Sequence, residues 1–435
     1  MKRIVVLGSG FGGMHATIQL ERQFRRDPET EILLISDQNY ILFTPLLPQI
    51  VSSYTNPRHI VQPVRDLRGR KRFRFRRDTV RSVDVGRREL TLGSGTLEYD
   101  SLIVALGGRS ETFGIPGVRE NTWDYKTLED AVALREHVLD LCEHADHTAD
   151  VELRRAMLTF VVVGGGYTGV ELICELRDFL FDNVAKRYRG IPREDLRLVL
   201  IEATPQILGG IAPQLAQHSR KRLDRGGIEV RTSARVTRCL PEGVEIGGQE
   251  LISSETLIWA AGVRAHPFVE SLPGPHDRIG RAVVSNTLQL EGHPEIFVVG
   301  DSAAALDAMG APRVAPVAIE QGRIAGRNVA HAARGEPLES YEYKSKGMLV
   351  SLGMNYAVVQ IGPIKFSGYF AWLFWNALHL YLLVGLQKQL QVATDWLLGF
   401  FFPRDASIIR RPERCRFCEL ESAKANAAVE TPTAG

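Results

Sequence analysis

At 435 residues the chain is longer than one ordinary core supports, so two or three domains are expected. Hydrophobic residues at 44% and charged residues at 24% describe a globular protein, and a net charge of +2 gives no basis for nucleic-acid binding. Five scattered cysteines, Cys142, Cys174, Cys239, Cys415 and Cys418, are odd in number and argue against a disulfide framework.

The chain opens on an apolar run, Ile4-Val5-Val6-Leu7, that fits a buried parallel strand and ends in Gly8-Ser9-Gly10-Phe11-Gly12-Gly13 before a helix-like stretch. In such a turn Gly8 allows the tight bend, Gly10 lets the backbone approach a pyrophosphate, and Gly13 lets helix pack on strand. The helix N-terminus then presents free N–H groups and a positive dipole end to phosphate. Because a strand begins almost at once, no signal peptide is expected ahead of the fold, and the cytosolic side is the expected location. Residues 31–37 read as the second strand, at whose end an acid usually holds ribose hydroxyls; Ser36 sits at that end and Asp37 one place later. Either residue suits the role, and Asp37 also suits a plain loop.

Residues 74–100 read as a β-meander around the turn Gly93-Ser94-Gly95, and residues 102–108 as a buried strand ending in small residues that admit a nucleotide close to the backbone. Residues 128–142 carry helical periodicity. Then the opening pattern recurs: Val161-Val162-Val163 leads into Gly164-Gly165-Gly166-Tyr167-Thr168-Gly169, 156 residues after the first copy. Two such turns imply two dinucleotides. The second strand of this unit ends on Glu202, which accepts hydrogen bonds from a free ribose 2′-OH and repels a 2′-phosphate, so NADH is expected over NADPH.

Residues 257–263 repeat the small-residue strand end, residues 295–301 form a further buried strand ending in Gly300-Asp301, and Pro316 suits the first turn of a helix. Between Lys365 and Lys388 there is no formal charge, and Phe366, Phe370, Leu373, Phe374, Ala377, Leu380, Tyr381 and Val384 fall at helical spacing. A spanning helix needs about 20 apolar residues, but Ser367, Asn376 and His379 interrupt the run. Aromatics interleaved with polar positions through residue 402 favour a helix lying in the membrane interface over one that spans, with burial at a dimer interface as a third reading. Basic residues within 65–77 and at Arg410, Arg411, Arg414 and Arg416 favour a solvated face over contact with an acidic membrane surface. A single Cys415-Arg416-Phe417-Cys418 lacks the second pair of a four-sulfur site, which leaves chance or a dimeric metal site; no metal ligands are assigned. Residues 423–435 are Ala, Glu, Thr and Pro rich and read as a disordered tail.

Taken together, the two glycine turns, Gly107-Gly108 and the Phe297-Val298-Val299-Gly300-Asp301 strand end, in this order and spacing, resemble the two-dinucleotide-binding flavoproteins. Within them the chain is most similar to the type II NADH dehydrogenases, the single-subunit NADH:quinone oxidoreductases. Residues 39–49, which look like that family's active-site loop, the Gly164–Glu171 motif and the aromatic stretch 371–396 carry this closer resemblance, which covers about residues 1–410.

The resemblance implies an α/β fold with two Rossmann-like domains: FAD on residues 1–115 and 285–335, NADH on residues 150–275, then a membrane-associating region over 340–412. It implies ping-pong transfer of a hydride from NADH to FAD and of two electrons on to a membrane quinone, without proton pumping. FAD would be held by Gly8, Gly10, Gly12, Gly13, Ser36, Asp37, Pro45, Leu46, Val80, Ala105, Gly107, Arg109, Ala318 and Asp301, the last at the ribityl hydroxyls or as a helix cap. NADH would be held by Gly164, Gly166, Tyr167, Thr168, Gly169, Glu202 and Gly262, with Tyr167 stacking near the nicotinamide or simply packing. Glu171 would touch the nicotinamide ribose near the flavin, or serve only as a dipole-complementing acid. The family's Ala-Gln-x-Ala-x-Gln-Gln becomes Ala315-Pro316-Val317-Ala318-Ile319-Glu320-Gln321 here. Only Gln321 is kept as an amide, while Glu320 would protonate a reduced quinone or sit as a surface carboxylate. A homodimer bound peripherally at the cytoplasmic face of the cell membrane is expected. Thiol-dependent relatives, including sulfide:quinone enzymes, need cysteines facing the flavin, and the loop around Pro45 has none. An NADH-sensing flavoprotein and a reductase of a soluble or protein acceptor stand as alternatives.

Overall fold

The computed structural model describes residues 1–68, 72–305, 311–345 and 347–409. The basic residues from Arg410 on, Cys415, Cys418 and the tail at 423–435 therefore lie outside the described residues. The chain forms two compact units, each assembled from three segments.

The first unit comprises Met1–Phe43, Val61–Glu111 and Gly262–Lys346. Its sheet has a parallel centre in the order His293–Val298, Ser101–Val104, Lys2–Leu7, Thr30–Ser36, Arg74–Arg77. Val5, Val6 and Leu7 on the central strand are fully buried, as a run covered on both faces must be. Strand order reverses at Lys2–Leu7, so a crevice opens at its carboxyl end, where the first glycine turn lies. The meander is shorter than expected, because Arg74–Arg77 pairs in parallel with Thr30–Ser36 and leaves only Val80–Asp84, Glu89–Leu92 and Gly95–Glu98 as antiparallel ribbons. The helix predicted from Pro316 runs over Ala315–Arg334 with that proline in its first turn.

The second unit comprises Thr44–Ile60, Thr112–Ala261 and Gly347–Gly435. A five-stranded parallel sheet orders Trp123–Asp124, Thr256–Trp259, Thr159–Val163, Arg197–Ile201 and Ile228–Arg231. The helix Leu128–His147 begins with a capping box in which Thr127 and Asp130 satisfy one another's backbone N–H. A three-stranded ribbon, Met348–Ser351, Ala357–Ile361 and Ile364–Gly368, leads into helices Tyr369–Leu382 and Leu386–Phe401. The helical run expected from Phe366 is thus corrected at both ends. Phe366 pairs with Val359 on a strand, and Gly368 and Gly385, at φ of +100° and +94°, break the chain before each helix. Among the described residues no helix is long and apolar enough to cross a membrane.

Candidate functional site: two glycine cradles and a buried acid

Each unit holds one glycine cradle at the end of its central strand. In the first, Gly8 has φ of +96° and a Cβ there would meet the Ala105 carbonyl oxygen at 2.3 Å. A Cβ on Gly13 would meet the Gly8 carbonyl oxygen at 1.9 Å, whereas one on Gly10 would find no described atom within 4 Å. Gly10 caps the helix Phe11–Gln23 in extended conformation without a side-chain cap, so that helix's first N–H groups face the open space beside Gly10. A tight backbone turn with one open glycine and uncapped N–H groups fits a pyrophosphate.

Around this cradle the other expected residues fall as follows. Ser36 is buried in a small network: it accepts from Ser9 Oγ at 3.0 Å and from the Gln38 N–H. Asp37 is exposed, with its carbonyl held by Arg77. Ala105 lines the glycine turn, Gly107 accepts from Ser302 Oγ, and Arg109 lies 3.3 Å from His266 Nε2 on the ribbon Gly108–Ser110. Val80 packs on this unit's core, and Gly262 opens its third segment, where its carbonyl accepts the Glu111 N–H. Gly12 answers a different demand, because the helix Ala315–Arg334 crosses there: a Cβ on Gly322 would meet the Gly12 carbonyl oxygen at 2.2 Å.

Asp301 lies in a short turn that starts at Gly300, φ +69°, and borders a cavity of about 10 Å³ shared with Arg281, Arg313, Ala318 and Gln321. The amide oxygen of Gln321, the one amide kept from the family pattern, accepts the Gly300 N–H at 2.7 Å, and the side chain is buried. Gln321 therefore fixes the turn that presents Asp301. Glu320, half-buried on the same helix, lies near Tyr341 and Arg327.

The second cradle repeats the first. Gly164 has φ of +116° with Ala260 at 2.6 Å from its would-be Cβ, Gly169 would meet the Gly164 carbonyl oxygen at 2.0 Å, and Gly166 again faces open space. Gly166 caps the helix Tyr167–Phe179 at φ −72° and ψ −173°, against −70° and −171° at Gly10. Glu202 is braced: one carboxylate oxygen accepts the Gly165 N–H and the other the Thr204 N–H, each at 2.7 Å. Tyr167 donates to the Gly209 carbonyl at 3.2 Å and touches Met348 Sδ, while Thr168 is exposed. Pro45 and Leu46 also belong to this unit, on the short turn Thr44–Leu46, with Leu46 fully buried.

One turn into the second cradle's helix stands Glu171. Its carboxylate accepts the Ser351 N–H at 2.9 Å, and burial, reinforced by the Glu175 charge, pushes its pKa up to about 8. Glu175, one turn on, is buried and also raised by burial, although it accepts from Ser52 Oγ at 2.6 Å and from Arg404 at 3.2 Å. The Arg404 guanidinium stacks over the Tyr54 ring at 4.6 Å. Gln49 accepts from Thr55 and from the Trp396 indole, which ties the Leu47–Val51 helix to the Leu386–Phe401 helix. Sequence reasoning missed Glu175, Arg404 and Trp396; two acids four residues apart on an otherwise apolar helix face were the available signal. The helices after Gly368 keep large apolar side chains exposed, Phe370, Leu373, Tyr381, Leu390, Leu397 and Phe401 among them. Cys142, Cys174 and Cys239 are buried with thiols pushed up, Cys239 to about 11, so none is a ready thiolate. Among the described residues no cluster suits a metal ion.

Residues 2–322 match the pyridine nucleotide-disulphide oxidoreductase family, and residues 345–405 match the NDH2 C-terminal domain. Two type II NADH:quinone oxidoreductases of Mycobacterium tuberculosis are similar to this chain. NdhA is 34% identical over 416 residues, covering 92% of this chain and 87% of the relative. Ndh is 32% identical over 418 residues, covering 92% and 89%. In structure, NDH2 of Plasmodium falciparum in complex with NADH superposes with a TM-score of 0.84 at 20% identity, over 93% of this chain and 99% of that one, a likeness of fold.

Proposed function

This chain belongs to the type II NADH:quinone oxidoreductases, within the pyridine nucleotide-disulphide oxidoreductases, and from that membership and the two cradles we propose how its residues carry the activity. FAD, when bound, accepts a hydride from NADH and hands two electrons to a quinone. The first unit holds FAD: the Gly8 to Gly13 turn and the following helix N-terminus take the diphosphate, Asp37 the adenosine ribose, and Asp301 the ribityl hydroxyls. Gln321 keeps the Asp301 turn in place. The N-terminus of the Ala315–Arg334 helix, uncapped by side chains among the described residues, offers positive potential to an electron-rich ring edge.

The second unit holds NADH. The Gly164 to Gly169 turn takes its diphosphate, and Glu202 accepts from a ribose 2′-OH while repelling a 2′-phosphate. Tyr167 borders the nicotinamide end. Glu171, protonated through neutral pH, adds no negative charge beside the reacting centre and holds a proton there. Glu320 stands as the residue that supplies a proton to a reduced acceptor. The exposed apolar faces of Tyr369–Leu382 and Leu386–Phe401 seat the enzyme peripherally on a bilayer, at its cytoplasmic face, where a lipophilic quinone is met. A homodimer completes this reading.

The observation that carries the proposal is the duplicated cradle, with the same helix-capping geometry at Gly10 and Gly166. The test is anaerobic addition of NADH to the purified yellow protein, followed by menaquinone or ubiquinone analogues. Bleaching by NADH and recovery of colour with quinone are expected. A protein that takes up no flavin, or whose reduced form ignores quinones, defeats the proposal.

A further inference from the structure

Glu171 sits between two donors of unequal standing. From one side the Ser351 N–H, at the end of strand Met348–Ser351, donates to its Oε1 at 2.9 Å. From the other comes Trp375, on the inner face of Tyr369–Leu382, a side chain only 2% exposed. Its indole N–H is buried and completes no hydrogen bond of full geometry among the described residues, yet it lies near enough to Glu171 to favour the ionised carboxylate. A buried indole N–H without a partner is unfavourable, so this arrangement needs a reason. The neighbouring turn explains the ring's fixed orientation. His379 stacks on Trp375 with centroids 3.9 Å apart, its Nδ1 is 2.7 Å from the Trp375 carbonyl, and burial holds it neutral down to about pH 4.

We propose that Trp375 is a positioning residue for Glu171: its indole N–H waits beside the protonated acid, closes onto the carboxylate when the proton leaves, and so sets the pH at which that proton is held. The step is a proton equilibrium. The carboxyl O–H bond breaks, the proton passes to solvent or substrate, and the oxygen left behind gains an N–H donor in exchange. The other groups that face Glu171 act in known directions. Glu175 raises its proton affinity from the same helix, while Tyr125 and Cys174 are themselves held neutral by burial and stay so over the working range. Of the elements packed against this helix, Leu47–Val51, Met348–Ser351 and Thr159–Val163 bring no titratable side chain, Arg197–Ile201 brings Arg197, paired with Glu229, and Leu180–Val184 brings Asp182, paired with Arg177.

Only the link to turnover rests on the proposed place of Glu171 beside the nicotinamide; the pairing with Trp375 does not. The experiment uses the FAD-loaded full chain. Infrared titration of the protonated carboxyl C=O stretch, identified by its loss in Glu171→Gln, should show a midpoint that Trp375→Phe moves upward by about one to two pH units, the effect of removing one donor from a charged acceptor. A phenylalanine that merely loosened the packing would admit water and lower the midpoint, so an unchanged or lowered midpoint overturns the proposal. The unmodified protein supplies an independent reading: with 15N-labelled tryptophan, the Trp375 indole resonance should move downfield through the same midpoint and stay flat in Glu171→Gln. A resonance flat across that range in the wild type also overturns it. If both titrations behave as expected while Glu171→Gln leaves the pH profile of NADH oxidation unchanged, the pairing stands and the catalytic placement of Glu171 fails instead.

Discussion

The two glycine cradles share a backbone but differ in what stands opposite each turn. In the first, Ser9 follows the bend and meets Ser36, hydroxyl to hydroxyl at 3.0 Å. In the second, Gly165 takes the place of Ser9, and a Cβ there would come within 2.9 Å of the Glu202 Cβ. The bare glycine lets Glu202 reach in and accept the Gly165 N–H. A carboxylate braced at both oxygens is preorganised for a ligand that comes and goes, whereas on the proposed assignment the hydroxyl network with an exposed Asp37 would hold its ribose loosely. The stronger support of the first turn lies elsewhere, in the Ala315–Arg334 helix that crosses it at Gly12 and holds the Asp301 turn through Gln321. The equivalent of Gly12 in the second cradle is the exposed Thr168, so the extra glycine goes with the helix that crosses the first turn.

The comparison breaks hardest at the paired glycines that touch backbone. Gly13→Ala and Gly169→Ala place a methyl within 2.0 Å of a carbonyl oxygen in their own units. Each should lose about 3 kcal/mol or more of stability, seen as a collapse of the thermal midpoint or of soluble yield. Gly10→Ala and Gly166→Ala meet no described atom, so they should fold normally and fail in binding. Losing about 2 kcal/mol of phosphate contact is about 30-fold in affinity. Gly10→Ala should therefore emerge depleted of flavin, and Gly166→Ala should stay yellow with a raised KM for NADH. If Gly166→Ala lost flavin instead, the assignment of one dinucleotide to each unit would be wrong.

Both cradles were legible in the sequence because a turn needing positive φ and close backbone contact admits only glycine, at Gly8 and Gly164, and the need does not depend on distant neighbours. Glu202 was legible for a similar reason, as the residue at a strand end. The Arg74–Arg77 strand was not, since a short run beside turn residues carries the same pattern whether its partner is a ribbon or the central sheet. Phe366 was misplaced because apolar residues at spacings of three and four continue through a strand of five residues without breaking the count. Glu175 and Arg404 are 229 positions apart, and an ion pair at that separation leaves no local trace.

A smaller effect sharpens the contrast between the braced and the loose acid. Glu202→Ala removes a charged acceptor expected at a ribose hydroxyl, and its NADH over NADPH preference in kcat/KM should fall by about 10–100-fold, since such bonds contribute about 1.5–3 kcal/mol. Asp37→Ala, exposed and held only by the Ser36 hydroxyl at 3.5 Å, should weaken FAD retention by less than about 10-fold. Steady-state rates with both nucleotides and flavin titration of the apoprotein measure the two. Equal losses would show that bracing contributes nothing to recognition.

The effect most dependent on pH concerns the position where the cradles differ most in chemistry: Glu171 in the second corresponds to His15 in the first. Folding raises the Glu171 pKa from the ordinary 4.5 to about 8, so between those values the native protein holds a proton that the unfolded chain has released. Native binding of more protons makes stability fall as pH rises. The contribution is complete below about pH 4.5 and is lost progressively up to about pH 8. Glu171→Gln keeps the shape and cannot ionise. Its unfolding midpoint should match the wild type at pH 5 and exceed it by about 4 °C at pH 8, a shift that corresponds to roughly 3–4 kcal/mol in a protein of this size. Glu175, raised in the same direction, keeps its own slope in both proteins, so the variant's midpoint should still fall as pH rises, less steeply than the wild type's. Parallel curves from pH 5 to 8 would mean that the acid is already ionised in the native state, and the second cradle would then carry a negative charge where the first has His15.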